Sequence, residues 1–429
     1  MLAQPLLAPS SGTEFFPRQC GPWDIRVILM VLCMIYFAAG LNFSSSQDRA
    51  AGDALTATAA DPSAHRAALI IVAPFVAWIC LKFGSLLLST LRDNLALSLL
   101  LVWSGVSTVW SQDPLHTLSE ACTLVGATLI TIWMARTIDW QSQLKIILCA
   151  GAIAGVLSVA FAVALPSRGI DYTHGTSWQG IFFSKNHLGR MMLFFLTPAF
   201  YFRTGQNQTL LHKAIRHCYV VLCLGLIVMS QSKTAMGVTA IYLVFTAALF
   251  LSRRLRTMDR KFLMLAMTIL FSMSALLILP NLTALVLEMG GDPTLTGRTV
   301  IWNQLLISFL KRPWTGYGYG AFWGAGEGWD AFMRIYGAMH FAATYAHSGY
   351  FDVLLGTGCI GLALVLAVLA KATWTGLREL GGEQTERVEW CCSIVFISLV
   401  YNGDEVTYLA AKSLPWILLL LACLNLYVV

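Results

Sequence analysis

The run LKIILCAGAIAGVLSVAFAVAL, Leu144–Leu165, contains one charged residue, Lys145. A helix needs about 20 mostly apolar residues to cross the hydrocarbon core of a bilayer, and this run has that length. Similar runs occur along the whole chain, so the sequence predicts a polytopic membrane helical bundle. The other predicted spans are Ile25–Phe43, Ala68–Leu88, Leu95–Trp110, Thr117–Met134, Leu188–Phe202, Cys218–Ser230, Thr234–Leu251, Phe262–Leu279, Tyr350–Ala370, Val388–Tyr401 and Leu414–Val429.

The composition agrees with this prediction. Of 429 residues, 57% are hydrophobic and only 12% are charged, about half the charged fraction of ~25% usual in soluble domains. A soluble enzyme with membrane attachment is therefore excluded. Continuous apolar runs also exclude an outer-membrane barrel, whose strands would alternate over about 10 residues. We predict an all-α fold with about twelve transmembrane helices, since twelve spans of about 20 residues would use most of the apolar positions.

Positive charge orients the predicted spans. Five cations lie in the nine residues Arg253–Lys261, and cytoplasmic loops are enriched in Lys and Arg. This places the loop after the eighth span, and both termini, in the cytoplasm. The predicted organisation is a cytoplasmic segment (1–24), transmembrane helices 1–9 (25–279), a large periplasmic loop (280–349) and transmembrane helices 10–12 (350–429).

The long loop contains a predicted helix. Apolar residues recur along Arg298–Leu310 with helical spacing before Pro313, so we expect an amphipathic helix in the outer membrane interface. Arg298 at its start opposes the helix dipole, which an anion would relieve. Arg298 is therefore either an exposed interfacial residue or a ligand for phosphate, to which an arginine offers a two-pronged contact.

Two further cation-bearing segments begin predicted membrane helices on the same side. Phe183–Arg190 contains Lys185 and Arg190, and Ser230–Ala235 contains Lys233. Cations beside the free N–H groups of a helix N-terminus suit phosphate binding. Ordinary helix capping and a tight helical hairpin are the alternative interpretations of these two segments.

The remaining candidates lie in or beside the long loop. Glycines alternate with Tyr317, Tyr319 and Trp323, as in an aromatic belt or a set of platforms for sugar rings. His347 opens the tenth span and is a candidate general base, with a structural role as the alternative. No compact metal-ligand spacing is present. Asp404 and Glu405 indicate a short outer loop, or else groups that bind the acceptor or support the base.

Five segments in order resemble the O-antigen ligase and polysaccharide polymerase superfamily. They are F-S-K-N-H-L-G-R (183–190), S-Q-S-K-T-A (230–235), G-R-T-V-I-W (297–302), P-W-T-G-Y-G-Y-G-A-F (313–322) and H-S-G-Y-F-D-V-L-L-G-T-G-C-I-G (347–361). The similarity covers about the middle 180 residues in detail. Many ligase members carry Arg at the position of Lys233.

The resemblance implies a glycosyltransferase of the bacterial inner membrane, with its active site facing the periplasm. Such an enzyme takes a sugar chain from undecaprenyl diphosphate and transfers it to a hydroxyl. Lys185, Arg190, Lys233 and Arg298 would bind the diphosphate, Arg298 and His347 would be catalytic, and Tyr317, Tyr319 and Trp323 would bind sugar or acceptor. No cofactor or metal is required by this scheme. The S-K-T-A and S-K-N-H-L-G forms favour the exopolysaccharide polymerase branch.

Two other functions remain open. The first is an O-antigen ligase, which uses lipid A core as the acceptor. The second is a lipid-linked oligosaccharide transporter, although most predicted spans lack charge and their polar groups concentrate at one surface. The expected partners are the lipid-linked donor, a glycan or lipid A core acceptor, the lipid bilayer, and flippase, chain-length or export proteins. Nucleic acid is not expected to bind.

Overall fold

The computed structural model describes residues 24–39, 62–172, 176–203, 209–256, 258–266, 298–323, 326–340 and 343–427. The helices with full bounds are α1 (Ile25–Ala39), α2 (Pro62–Asp93), α3 (Leu95–Val106), α4 (Pro114–Thr137), α5 (Trp140–Ala164), α6 (Pro166–Gly169), α7 (Lys185–Leu196), α8 (Leu210–Met229), α9 (Lys233–Ser252), α10 (Arg298–Lys311), α11 (Gly326–Met339), α12 (Gly349–Glu379), α13 (Thr385–Tyr401) and α14 (Leu414–Tyr427). Residues 258–266 are also helical.

Short elements complete the description. Single 3₁₀ turns extend α3 (Ser107–Trp110) and α7 (Thr197–Phe200). Strands β1 (Ile170–Asp171) and β2 (Ser177–Trp178) pair antiparallel, with Ile170 opposite Trp178. The described chain is thus overwhelmingly helical, as an all-α membrane protein should be.

Six helices of the described residues are long and apolar enough to cross a membrane: Val72–Asp93, Pro114–Thr137, Trp140–Ala164, Leu210–Met229, Lys233–Ser252 and Gly349–Glu379. Three shorter apolar helices lie at Ile25–Ala38, Leu95–Trp110 and Leu414–Tyr427. The protein is therefore a multi-pass membrane protein, and the count of twelve spans stays a prediction. The ninth predicted span, Phe262–Leu279, lies mostly outside the described residues.

Two predicted boundaries need correction. The seventh span was placed at Cys218–Ser230, but α8 begins at Leu210, because the charged and exposed first two turns were assigned to a loop. The sixth span was placed at Leu188–Phe202, whereas α7 has only 12 residues before the chain tightens into the 3₁₀ turn that contains Pro198. Proline removes a backbone donor and so ends the regular helix.

The main core surrounds α14. Residues Leu414–Leu426 of this helix are all buried, as expected for a helix that is apolar on every side. Trp133 of α4 and Trp390 of α13 are among the largest fully buried side chains. Because α14 lies at the centre, it fixes the positions of the helices whose ends carry the candidate site.

A second, smaller core lies under the loop between α10 and α12. Ile301, Leu305, Phe322, Ile335 and Leu355 are buried together in it. The glycine-rich segment joins this core to α12: the Tyr317 N–H donates to Leu355 O (2.8 Å) and the Gly318 N–H to Gly356 O (3.0 Å).

Two glycines permit this close approach. Gly316 has φ +65°, and a Cβ there would lie 2.6 Å from Leu355 O. Gly358 has φ +69° and interrupts the helical geometry of α12, so that the Cys359 N–H reaches Pro313 O (2.8 Å). Since only glycine adopts this conformation without strain, these glycines serve packing against α12.

Candidate functional site

Two cation-bearing helix starts lie side by side. The Ser184 hydroxyl caps α7 by accepting from the His187 N–H (3.2 Å), and the Ser232 hydroxyl caps α9 by accepting from the Ala235 N–H (3.3 Å). A Cβ at Gly189 would lie 2.6 Å from the Ala235 Cβ, so the two helices approach closely there. Lys185 and Lys233 are the first residues of these helices, and both helix N-termini therefore attract anions at one place.

Two arginines adjoin the helix starts and share an acidic pair. Arg298 forms an ion pair with Asp404, and its second nitrogen lies 4.0 Å from Glu405 Oε1. Arg190, on α7, lies 3.3 Å from Glu405 Oε2 and also donates to the Val406 carbonyl at 3.2 Å. The acidic pair therefore connects the arginines of α7 and α10 to the segment between α13 and α14.

The acidic pair also reaches α9. The Thr234 hydroxyl donates to Asp404 Oδ2, which brings the residue after Lys233 to the carboxylate that pairs with Arg298. All four predicted diphosphate-binding cations thus belong to one end of the bundle, where α7, α9, α10 and α12 begin and α13 ends. We call this the site end.

Positive charge exceeds negative charge in this group. Four cations, Lys185, Arg190, Lys233 and Arg298, accompany two carboxylates. Among the described residues, neither lysine lies within ion-pair distance of a carboxylate, whereas both arginines do. Lys233 is exposed. The site end has therefore charge available for an anion, and a phosphate that displaced Asp404 from Arg298 would gain a two-pronged contact.

His347 lies next to this group, just before α12. Its backbone has φ +51°, and its ring centroid lies 4.0 Å from that of Tyr345. The Gly349 N–H donates to Asn402 O (2.9 Å) and to Glu405 O (3.2 Å), so the segment carrying His347 is attached to the segment carrying the acidic pair. A left-handed backbone is uncommon in residues other than glycine, so the packing around His347 must hold it in this conformation.

Burial and neighbouring charge set the protonation of the site. Burial, and then the charge of Arg298, lower the pKa of His347 to about 4, so its imidazole is neutral at neutral pH and can accept a proton. Burial raises the pKa of Glu405 above its ordinary value, and the charge of Arg190 opposes that rise. The site end thus combines a neutral imidazole with surplus cations.

Two of the three aromatics predicted to bind sugar, Tyr317 and Tyr319, are buried, and the sugar-binding role of all three stays a prediction. Tyr317 lies in the small core, with its hydroxyl donating to Ser308 O at 2.7 Å. It presents no ring face at the surface, because it packs against Phe322 and the Arg312 guanidinium lies over its ring. Tyr319 is also buried, and its hydroxyl donates to Leu409 O. Tyr319 and Trp323 nevertheless line a cavity described below.

Sequence reasoning underestimated Asp404 and Glu405, which were interpreted first as a short outer loop. The feature that could have identified their role is their charge. They are two carboxylates between apolar runs, in a chain with several cations predicted on the same side. Buried charges require partners, so these residues were the natural counterions of Arg190 and Arg298. Among the described residues, no group of three or more His, Cys, Asp or Glu side chains could hold a metal ion; metal independence stays a prediction.

Comparison with known proteins relates this site to a family. Residues 218–366 match the family model described as O-Antigen ligase, a range that contains Lys233, Arg298 and His347. The chain is also 26% identical over 295 residues to the exopolysaccharide production protein ExoQ of Rhizobium meliloti (strain 1021). That match covers 66% of this chain and 66% of the relative. Both matches support the similarity to the O-antigen ligase and polysaccharide polymerase superfamily that the five sequence segments carry.

Proposed function

We propose that the protein is a periplasm-facing glycosyltransferase of the bacterial inner membrane. It transfers an oligosaccharide from undecaprenyl diphosphate to a sugar hydroxyl and so polymerises exopolysaccharide repeat units. The observation that carries the proposal is the surplus of positive charge at two packed helix N-termini, next to a neutral His347. Such a site suits a substrate with a diphosphate and a hydroxyl that must lose a proton.

The donor already contains its leaving group, so the protein must hold and orient it. Lys185 and Lys233 attract the diphosphate to the helix N-termini, while Arg190 and Arg298 contact its oxygens. When the bond between the anomeric carbon and the diphosphate breaks, negative charge grows on the departing phosphate oxygen. Cations already in place stabilise that charge without having to reorganise.

His347 completes the transfer. The acceptor oxygen forms the new bond to the anomeric carbon, and its proton passes to His347 as the diphosphate leaves. A bound diphosphate also neutralises Arg298, whose charge lowers the pKa of His347. Donor binding therefore raises the basicity of His347, because a neighbouring cation no longer opposes protonation. His347 therefore becomes a stronger base only when the donor is bound.

The similarity to an exopolysaccharide production protein favours polymerisation. The match to the O-Antigen ligase model favours the second candidate, transfer of the glycan to lipid A core. Both reactions use the same donor and the same catalytic groups, and differ in the acceptor. The proposed partners are the lipid bilayer and the flippase and export proteins of the same glycan.

The test is transfer by the purified protein. We would incubate the full chain with undecaprenyl-diphosphate-linked repeat units from its host, without ATP or metal, and measure product length by gel and mass spectrometry. A ladder of repeats is expected, and it should be absent with Arg298→Ala. Arg216→Ala, which alters an exposed arginine of α8, is the matched control and should keep the ladder. Transfer only to added lipid A core would establish the ligase, and no transfer to either acceptor would overturn the proposal.

A further inference from the structure

A cavity of about 370 Å³ lies beside the site end, between α4, the glycine-rich segment, α12 and the segment before α14. Its walls include Glu120, Tyr319, Trp323, Asp352 and Lys412. The volume falls within the range of ~300–1,000 Å³ typical of pockets for small ligands. None of the diphosphate-binding candidates lines it, so the cavity is a separate space.

The polar groups of this wall are held in place by one another. Lys412 Nζ donates to Glu120 Oε1 at 2.6 Å, which connects α4 to the segment before α14. Trp323 Nε1 donates to Asp352 Oδ1 at 2.9 Å. The indole and the two carboxyl groups therefore have fixed positions around the cavity, as a binding site requires.

Two residues of the wall connect the cavity to the candidate catalytic groups. Asp352 Oδ1 also accepts from the Ala346 N–H (3.3 Å), directly before His347. Val406 lines the cavity, and its carbonyl accepts from Arg190 (3.2 Å) beside Glu405. A molecule in the cavity would therefore lie against both segments that carry the site.

We propose that this cavity binds the terminal sugar of the acceptor and that this sugar is uncharged. Glu120 and Lys412 are the residues of the cavity that determine this specificity. This inference rests on the proposed function and names the acceptor class for it. Sugars combine hydroxyl groups with apolar ring faces. The cavity matches both, since Trp323 and Phe322 offer aromatic surface and Glu120, Asp352 and Lys412 offer hydrogen-bonding groups.

Other occupants fit less well. A prenyl chain would offer no hydrogen bonds to Glu120, Asp352 and Lys412, so the carboxyl oxygens and ammonium hydrogens that their mutual contacts leave over would face hydrocarbon, which is costly. A diphosphate or an acidic sugar would meet two carboxyl groups and one ammonium, a balance that repels anions. The hydroxyl groups of a neutral sugar can donate hydrogen bonds to the carboxyl groups, and such a sugar introduces no charge.

The test separates acceptor binding from donor binding. With the full chain, lipid-linked donor and lipid-free oligosaccharide acceptors, we would measure KM for each substrate in the wild type, Glu120→Gln and Lys412→Met. We expect the acceptor KM to rise about tenfold or more in each variant, because one hydrogen bond to a charged group is lost, while the donor KM changes by less than about twofold. Glu327→Gln is the matched control. It breaks an ion pair with Lys311 outside the cavity and should alter neither KM.

A second measurement is independent of transfer. Saturation-transfer NMR with the same neutral oligosaccharide, without donor, should show binding to the wild type and to Glu327→Gln, and much weaker binding to Glu120→Gln. An acceptor ending in a uronic acid should bind more weakly than the neutral one. Equal binding to all variants, a rise in the donor KM alone, or preference for the uronic acid would overturn the inference. Absence of transfer together with normal glycan binding would contradict the proposed function and leave this site supported.

Discussion

The two ends of α9 and α13 carry two clusters of charged residues that differ in their balance. These antiparallel helices are connected at the site end by Thr234 and Asp404, and at the opposite end by Arg253 and Glu389. The 20 residues of α9 separate the two clusters by about 30 Å, at ~1.5 Å per residue. Both clusters combine arginines with acidic residues, so composition alone does not distinguish them.

At the opposite end the charges satisfy one another. Glu389 is fully buried and pairs with Arg253 (2.9 Å from Nε) and with Arg260. Glu386 pairs with Arg203 and lies 3.7 Å from Arg253. Each carboxylate thus contacts two arginines, and the cluster connects α9 and residues 258–266 to α13. This arrangement is structural.

At the site end, by contrast, the lysines of α7 and α9 lie outside ion pairs with the described carboxylates, and two helix N-termini add further positive potential. Cations outside ion pairs with the described carboxylates, and not the presence of arginine, therefore distinguish the end at which we propose the anion site. A variant at the site end should therefore impair transfer and spare folding, and a variant at the opposite end should do the reverse.

The largest effect is expected for His347→Ala. Loss of a general base lowers rates by about 10²- to 10⁴-fold, so transfer should fall by that factor with donor KM little changed. The measurement is single-turnover transfer with purified protein, and the melting temperature should stay near that of the wild type. Activity near the wild-type level would remove His347 from the mechanism.

The pH profile of the wild type tests the same residue. Protonated His347 cannot act as a base, so kcat/KM should fall as the pH drops through the pKa of about 4 in the free protein. The decline in kcat should occur at higher pH, because the bound diphosphate neutralises Arg298 and raises the pKa of His347. Arg298, through its charge, and Tyr345, through a ring contact, are neighbours of His347. Coincident profiles would contradict this coupling.

Arg298→Ala should lower transfer on the order of 100-fold, since one pre-positioned contact to the developing charge is lost. Arg298→Lys should recover part of the rate, because it restores the charge without the two-pronged contact. Initial rates with saturating donor give both values. If Arg298→Ala instead unfolds the protein and Arg298→Lys is fully active, the ion pair with Asp404 has a structural role only.

Glu389→Ala should lower the stability of the protein and leave the transfer rate unchanged. Removing one partner of a buried ion pair costs about 3–5 kcal/mol, because Arg253 and Arg260 lose their shared partner. The melting temperature in detergent should fall clearly, whereas transfer per folded molecule should match the wild type. Impaired transfer in a variant of unchanged stability would mean that the two ends are coupled.

The smallest effect is expected for Lys233→Arg. Both side chains supply a positive charge at the start of α9, and the exposed position tolerates the larger guanidinium, so the rate should stay within about threefold of the wild type. Donor KM is the quantity to measure. A loss as large as that of Arg298→Ala would show that the point charge of a lysine is required at this position.

The sequence predicts the individual helices and helix starts of the two ends, but not how they are arranged relative to one another. The apolar run Leu144–Leu165 predicted a helix, and α5 spans Trp140–Ala164. The cations Lys185, Lys233 and Arg298 were predicted to begin helices, and each is the first residue of one. Local signals suffice here, because apolar run length and capping residues act within a few turns.

The partners of these cations could not be predicted in the same way. Arg190 and Glu405 are 215 positions apart in the chain, and no local pattern connects them. The same holds for the role of Tyr317: alternation with glycine suggested an exposed aromatic surface, whereas packing against α12 requires those glycines and buries the ring. Burial depends on which helices meet, and that is a property of the whole bundle.

The sequence by itself determined that this is an all-α membrane protein, that Lys185, Lys233 and Arg298 begin helices, and which cations are available to an anion, because apolar length, capping and charge are properties of single segments. Only the tertiary structure decided that two helix N-termini meet at Gly189, that Asp404 and Glu405 lie between Arg298 and Arg190, and that Glu120 and Lys412 close one wall of a cavity. The physical reason is that ion pairs and cavities arise where distant segments pack, and packing is decided by the fit of all the helices together.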